Sequence, residues 1–160
     1  MAAGTLVILA AAIVTADFCA SPIDGGAREP QFCRLASPQV VSTPYFSVTV
    51  GPEFLVGIDR AGRRMMLEAT LRQSLAGLTI EMLEGAELPA WHDCPALAEI
   101  VLDSRGWQDC RLDDGGFVER RIATLAGSGH IVAQYRYGPA SRDLAEALER
   151  ALQSLRVHAN

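Results

Sequence analysis

Phe117-Val118-Glu119-Arg120-Arg121-Ile122-Ala123-Thr124-Leu125-Ala126-Gly127-Ser128-Gly129-His130-Ile131-Val132-Ala133-Gln134-Tyr135-Arg136-Tyr137 reads as strand, tight turn and strand. In its second half Ile131, Ala133, Tyr135 and Tyr137 fall on one face, and His130, Val132, Gln134 and Arg136 on the other. Such alternation marks a half-buried strand. On this reading His130 belongs to the polar face. Gly138-Pro139 ends the run, and a helix is expected next, because Leu144, Leu148, Ala151, Leu152 and Leu155 recur along one helical stripe. A helix with one apolar stripe needs a sheet face beneath it, so the rest of the chain is expected to supply further strands.

The upstream sequence offers them. Tyr45-Phe46-Ser47-Val48-Thr49-Val50 is a short strand stopped by Gly51-Pro52, and Phe54 to Ile58 is a second. Asp59-Arg60-Ala61-Gly62 makes a turn. In the next run Met65, Leu67, Ala69 and Leu71 alternate with Met66, Glu68, Thr70 and Arg72, and Leu78 to Leu83 repeats the pattern. Antiparallel strands with one face on a core and one in water look like this. After Gly85 the pattern changes. Pro95 follows the potential cap Asp93-Cys94, and Leu97, Ile100 and Val101 have helical spacing, so a helix is expected over Pro95–Ser104, ended by Gly106. Trp107 to Gly116 reads as a polar connection. The expected fold class is α+β, an antiparallel sheet with helices packed on it, and Arg156-Val157 is left as a possible last edge segment.

With 160 residues, 49% hydrophobic and 21% charged, the chain suits one domain with a sizeable core. A net charge of -5 disfavours nucleic acid as a partner, since phosphate binding needs a concentrated basic face. The 14 basic residues are all Arg, which removes lysine Schiff-base and P-loop chemistry.

Leu6 to Val14 is the most apolar run, shorter than the roughly 20 residues of a membrane span. It fits the core of a signal peptide, and Val14-Thr15-Ala16 supplies small residues at a cleavage spacing. Residues 1–16 are therefore read as a signal peptide, with cleavage alternatively as late as residue 20. Residues 17–38 form a Pro/Gly-rich arm, and residues 39–160 a single α+β domain. No stable membrane span is expected after cleavage, and the expected location is periplasmic or secreted. Four cysteines in an exported chain, Cys19, Cys33, Cys94 and Cys110, imply two disulfides. Three pairings are possible, and proximity favours Cys19–Cys33 and Cys94–Cys110. The second would close a loop of roughly 15 residues, contributing about 3 kcal/mol.

His92-Asp93-Cys94 brings together three metal-capable side chains, but neighbours in sequence point apart and no second cluster exists, so no metal site is assigned. A Cys–His nucleophile, using Cys94 or Cys110 with His92 or His130, conflicts with the disulfide reading. Asp113-Asp114-Gly115-Gly116 lacks the ligand spacing of a calcium loop. No catalytic residue and no cofactor is assigned. The segments around Glu84, Glu87 and Trp91, and around Trp107, Asp113 and Asp114, would be pinned together by a Cys94–Cys110 bridge. Trp is enriched at binding hot spots, and a pinned acidic loop suits a basic cleft. These six residues are the candidate partner-binding set.

The opening Tyr45-Phe46-Ser47-Val48-Thr49-Val50-Gly51-Pro52-Glu53-Phe54, the helix expected over Pro95–Ser104 and the ending Leu144–Leu155 with Arg156-Val157 together resemble the Mog1/PsbP-like fold, which includes DcrB-type exported bacterial proteins. Type VI secretion immunity proteins of that fold are similar in being small, exported and non-enzymatic. The resemblance implies a binding protein. The resulting expectation is an exported, non-enzymatic immunity or inhibitor protein with a protein partner, a secreted effector enzyme. An envelope accessory protein stabilising a larger complex is the alternative, followed by a small hydrolase.

Overall fold

The computed structural model describes residues 13–15, 32–70 and 75–158, and strands dominate them. In chain order these are β1 (Ile13–Thr15), β2 (Phe32–Arg34), β3 (Gln39–Ser42), β4 (Phe46–Val50), β5 (Phe54–Ile58), β6 (Arg64–Ala69), β7 (Ala76–Glu84), β8 (Leu97–Leu102), β9 (Arg105–Asp113), β10 (Val118–Ala126), β11 (Gly129–Tyr137) and β12 (Arg156–Val157). A 3-10 turn (Pro139–Leu144) and one helix, α1 (Ala145–Gln153), lie between β11 and β12. Eight strands form an antiparallel sheet in the order β2-β5-β6-β7-β11-β10-β9-β8, and four form a second sheet, β1-β3-β4-β12. β1 runs parallel to β3; the other neighbours in the second sheet are antiparallel.

The expected α+β architecture with helices covering a sheet is therefore corrected to a sheet-rich, two-layer fold with one short helix. The decisive segment is 95–116. Where a helix and a polar connection were expected, β8 and β9 make a hairpin in register Leu97↔Cys110 through Leu102↔Arg105. Its turn, Asp103-Ser104, has both residues at positive φ, 53° and 59°. That is a type I′ turn, which matches the twist of paired strands. Gly106 lies within β9 instead of ending a helix, and Trp107, 1% exposed, donates its indole N–H to the Leu102 carbonyl at 2.9 Å.

The other expected strands form with small boundary shifts. Met65, Leu67, Leu78 and Ile80 are buried, as alternation required. The expected last edge segment is β12, paired with β4. The inner face of the large sheet, with Phe54, Val56, Met65, Leu67, Leu78, Ile80, Ile122 and Ile131, shares one core with Phe46, Val48 and Val50 of β4 and with Leu148, Ala151 and Leu152 of α1. The helix, lying against β4 and β11, fills the second layer beside the small sheet. Its stripe is the one read from sequence, with Leu144 in the preceding 3-10 turn and Leu155 just beyond the helix.

Most of the segment assigned to signal peptide and arm lies outside the described residues. Within it, Ile13–Thr15 is strand β1, and β2 pairs with β5 at the edge of the large sheet. Leu35, placed in the arm, is 2% exposed and belongs to the core.

Candidate functional site

Arg120 and Arg121 are neighbours on β10 and so point to opposite faces of the large sheet. Arg120 points inward. Its Nε and Nη2 donate to the two Asp109 carboxylate oxygens at 2.8 and 2.9 Å, and its Nη1 to Glu149 Oε1 at 2.5 Å. The Tyr135 hydroxyl donates to Glu149 Oε2 at 3.2 Å. This cluster joins β9, β10 and β11 to α1. The hydrogen bond to Asp109 is the largest influence on Arg120, raising its pKa against the opposing effect of burial. Burial acts to raise the Glu149 pKa, but the hydrogen bond and charge of Arg120 outweigh it and hold the carboxyl below its ordinary value. Burial, then the Glu149 charge, push Tyr135 up to about 12. Every member is partnered, so the cluster is structural: it docks the helix.

Arg121 points outward, and its Nη1 donates to Asp93 Oδ1 at 2.9 Å. One residue on, Cys94 is bonded to Cys110 of β9. The loop 85–96 is thus strapped over the outer face of the β8–β9–β10 half of the sheet. His92-Asp93-Cys94 is spent in that strap, with Cys94 in a disulfide and Asp93 in an ion pair. Among the described residues no group of three or more His, Cys, Asp and Glu side chains could hold a metal ion. His130 is 8% exposed, with Nδ1 2.9 Å from the Gly85 carbonyl oxygen, so it anchors the loop's start and does not sit on a polar surface. Cys33 is also disulfide-bonded; its expected partner, Cys19, lies outside the described residues.

The six candidate partner-binding residues do not converge. Glu84 pairs with Gly129 at one end of the sheet. Asp113 pairs with Val118, which pairs with Tyr137 at the other end. Eight residue steps, roughly 26 Å, separate the two ends. Trp107 is a core residue, whereas Trp91 is half-buried and Glu87 exposed on the loop. Glu84 accepts from Arg63 Nη1 at 2.8 Å. Asp113 and Asp114 serve their own turn: Asp113 Oδ1 accepts the Gly115 N–H at 3.0 Å, and Asp114 Oδ1 accepts from Gly116 and Phe117 at 2.8 and 2.6 Å. The Phe117 and Gly116 N–H groups hold the Asp114 carboxyl below its ordinary value.

The loop leaves the β5–β6–β7–β11 half of the outer face open. There a groove of about 800 Å³ is lined by Leu55, Met66, Leu75, Gly77, Thr79 and Phe117, with Glu68 and Arg136 at its sides. Register explains its shape. Glu68 and Arg136 both pair with Gly77, one from each neighbouring strand. Their Cα atoms are about 10 Å apart, two strand spacings, and Gly77 has no side chain to fill the gap. The position cannot easily take one, since a Cβ there would lie 2.9 Å from the Leu67 carbonyl oxygen. Arg136 lies over the Phe117 ring, 4.3 Å from its centroid, which fixes the guanidinium at the groove wall. Among the described residues neither Glu68 nor Arg136 has an ion-pair partner. Leu75 is 69% exposed. In sequence these residues read only as a polar strand face, and cross-strand register alone brings an acid and a base to the two sides of one glycine.

Compared with models of known protein families and with curated proteins, the chain matches none, and nothing in those comparisons identifies a Mog1/PsbP-like relative.

Proposed function

We propose that this is an exported, disulfide-braced binding protein that holds a protein partner in the groove between Glu68 and Arg136, and that the partner is a secreted enzyme which it inhibits by occlusion. The single observation that carries the reading is a pair of opposite charges, neither in an ion pair among the described residues, flanking a glycine-floored, apolar-walled groove. An extended segment with an apolar side chain between a basic and an acidic one would satisfy both charges and cover Leu55, Leu75 and Met66. Charge complementarity of this kind fixes orientation and suppresses wrong partners. The Cys94–Cys110 bridge and the bonded Cys33 are compatible with an oxidising, extracellular location, and no helix among the described residues is long and apolar enough to cross a membrane.

The test uses the full chain with its disulfides formed, carrying a photo-crosslinking residue at position 75 or, as control, at the exposed position 125. Position 75 should capture one stoichiometric protein from the producing strain's secretions, and Arg136→Glu should abolish the capture. Purified, that protein should lose its activity on addition of one equivalent of the chain. Equal labelling from both positions, or capture unchanged by Arg136→Glu, removes the groove reading. Capture without inhibition leaves a binding protein that is not an inhibitor.

A further inference from the structure

At the end of the large sheet remote from the groove, the two layers part around a second cavity of about 690 Å³. Tyr45, Arg63, Met82, Glu84 and His158 line it, with the β10–β11 turn Gly127-Ser128 along one side. We propose that this cavity is a binding site for an uncharged sugar ring.

The volume lies within the 300–1,000 Å³ typical of small-molecule sites. The polar groups select the class. Arg63 Nη1 donates to Glu84 Oε1 at 2.8 Å, and this hydrogen bond, with a smaller influence from the Tyr45 hydroxyl, raises the pKa of the guanidinium. The guanidinium charge is therefore already compensated, so neither a phosphate nor an ammonium ion would find an unmatched counter-charge. What remains is hydrogen-bonding capacity. A guanidinium carries five N–H donors and a carboxylate about four acceptor positions, so most of both sets is unused. Neighbouring ring hydroxyls match that arrangement, one donating to Glu84 and the next accepting from Arg63. His158 extends the polar side: its Nε2 is 3.3 Å from Ser47 Oγ and its backbone N–H donates to the Tyr45 carbonyl at 2.8 Å, and among the described residues its Nδ1 has no partner. The Tyr45 ring and the Met82 thioether supply the apolar surface that the C–H face of a sugar covers. The turn closes tightly on the cavity because position 129 is glycine; a Cβ there would meet the Leu83 carbonyl oxygen at 2.3 Å.

A free sugar and the end of a glycan chain share this chemistry, and the test separates them. The isotope-labelled full chain, disulfides formed, is titrated with glucose and with N-acetylglucosamine, each free and as its β1,4-linked tetrasaccharide, and amide shifts are followed. Saturable shifts at Gly85, Gly127, Ser128 and Gly129 are expected. Tighter binding of a tetrasaccharide assigns the site to glycan chains, and equal affinity assigns it to free sugars. Glu84→Gln should weaken binding about tenfold through loss of a charge-assisted acceptor, while Glu87→Gln on the neighbouring loop should leave it unchanged. Glu84 is 84% exposed in its side chain, so that variant keeps the fold. The proposal is overturned if no sugar gives saturable shifts up to about 50 mM, well beyond the millimolar Kd of weak ligands. It is equally overturned if inorganic phosphate gives the same shifts, or if Glu84→Gln binds like the parent. None of these results bears on the groove at the other end of the sheet.

Discussion

Arg120 shows how much a single side chain decides here. It is 15% exposed, as is Asp109, and Glu149 is 31% exposed, so all three have given up most of their water. Removing the cation strands two carboxylates. Arg120→Met should therefore destabilise the fold by about 3 kcal/mol, read as a lower urea midpoint with an unchanged slope. The same cluster sets two pH limits. Glu149 sits below its ordinary value of 4.5 in the folded state, so its contribution is complete above that pH and is lost as pH falls through the depressed folded value. Tyr135 is shifted the other way, from 10.0 to about 12. The fold then favours the protonated phenol, and stability should hold below pH 10 and fall from there to pH 12. Tyr135→Phe should abolish that alkaline fall while leaving the acid limb in place, checked by urea unfolding across the pH range. Neither role is legible in the sequence, because Arg120-Arg121 looks like a surface charge pair until strand alternation sends one arginine to each face.

The β8–β9 hairpin carries the largest departure from expectation, and the reason is local. Leu97, Ile100 and Val101 fit helical spacing as well as an exposed edge strand, and short apolar runs do not separate the two. The usual type I′ signature, Asn-Gly, is absent from Asp103-Ser104. The Asp103 side chain has a second role in the fold, since its Oδ2 accepts the Val157 N–H at 3.1 Å and ties the hairpin to β12. Ser104 is not tied in this way, and its φ of 59° is costly for a residue with a Cβ. Ser104→Gly should stabilise the protein by about 1 kcal/mol, visible as a higher melting temperature. The disulfide, by contrast, was legible from sequence proximity. Cys94 and Cys110 are 16 residues apart, and replacing both with Ala should cost about 3 kcal/mol. The double variant should also expose the 85–96 loop to protease well below the melting temperature, since the Asp93–Arg121 ion pair and the His130–Gly85 contact would then be its remaining polar ties to the sheet among the described residues.

Strand periodicity in the middle of the chain revealed most of the large sheet, but the second layer depended on pairings that no local pattern announces. β3 has four residues and β12 two, and β12 joins β4 across more than a hundred positions. The helix stripe was plain in the sequence; what it packs against was not. Because α1 shares its core with both sheets, the fold should behave as one cooperative unit and not as a sheet carrying a detachable helix. Leu148 is fully buried in that shared core, and Leu148→Ala should cost between about 2 and 5 kcal/mol. The discriminating measurement follows urea unfolding of this variant by far-ultraviolet circular dichroism and by tryptophan fluorescence, since Trp107 lies in the core from β9 while Leu148 enters it from α1. Coincident curves, both shifted to lower urea, would mean that loss of the helix contact is felt across the whole sheet. A dichroism change that precedes the fluorescence change would mean that α1 detaches alone, and the second layer would then be two independent pieces resting on one sheet.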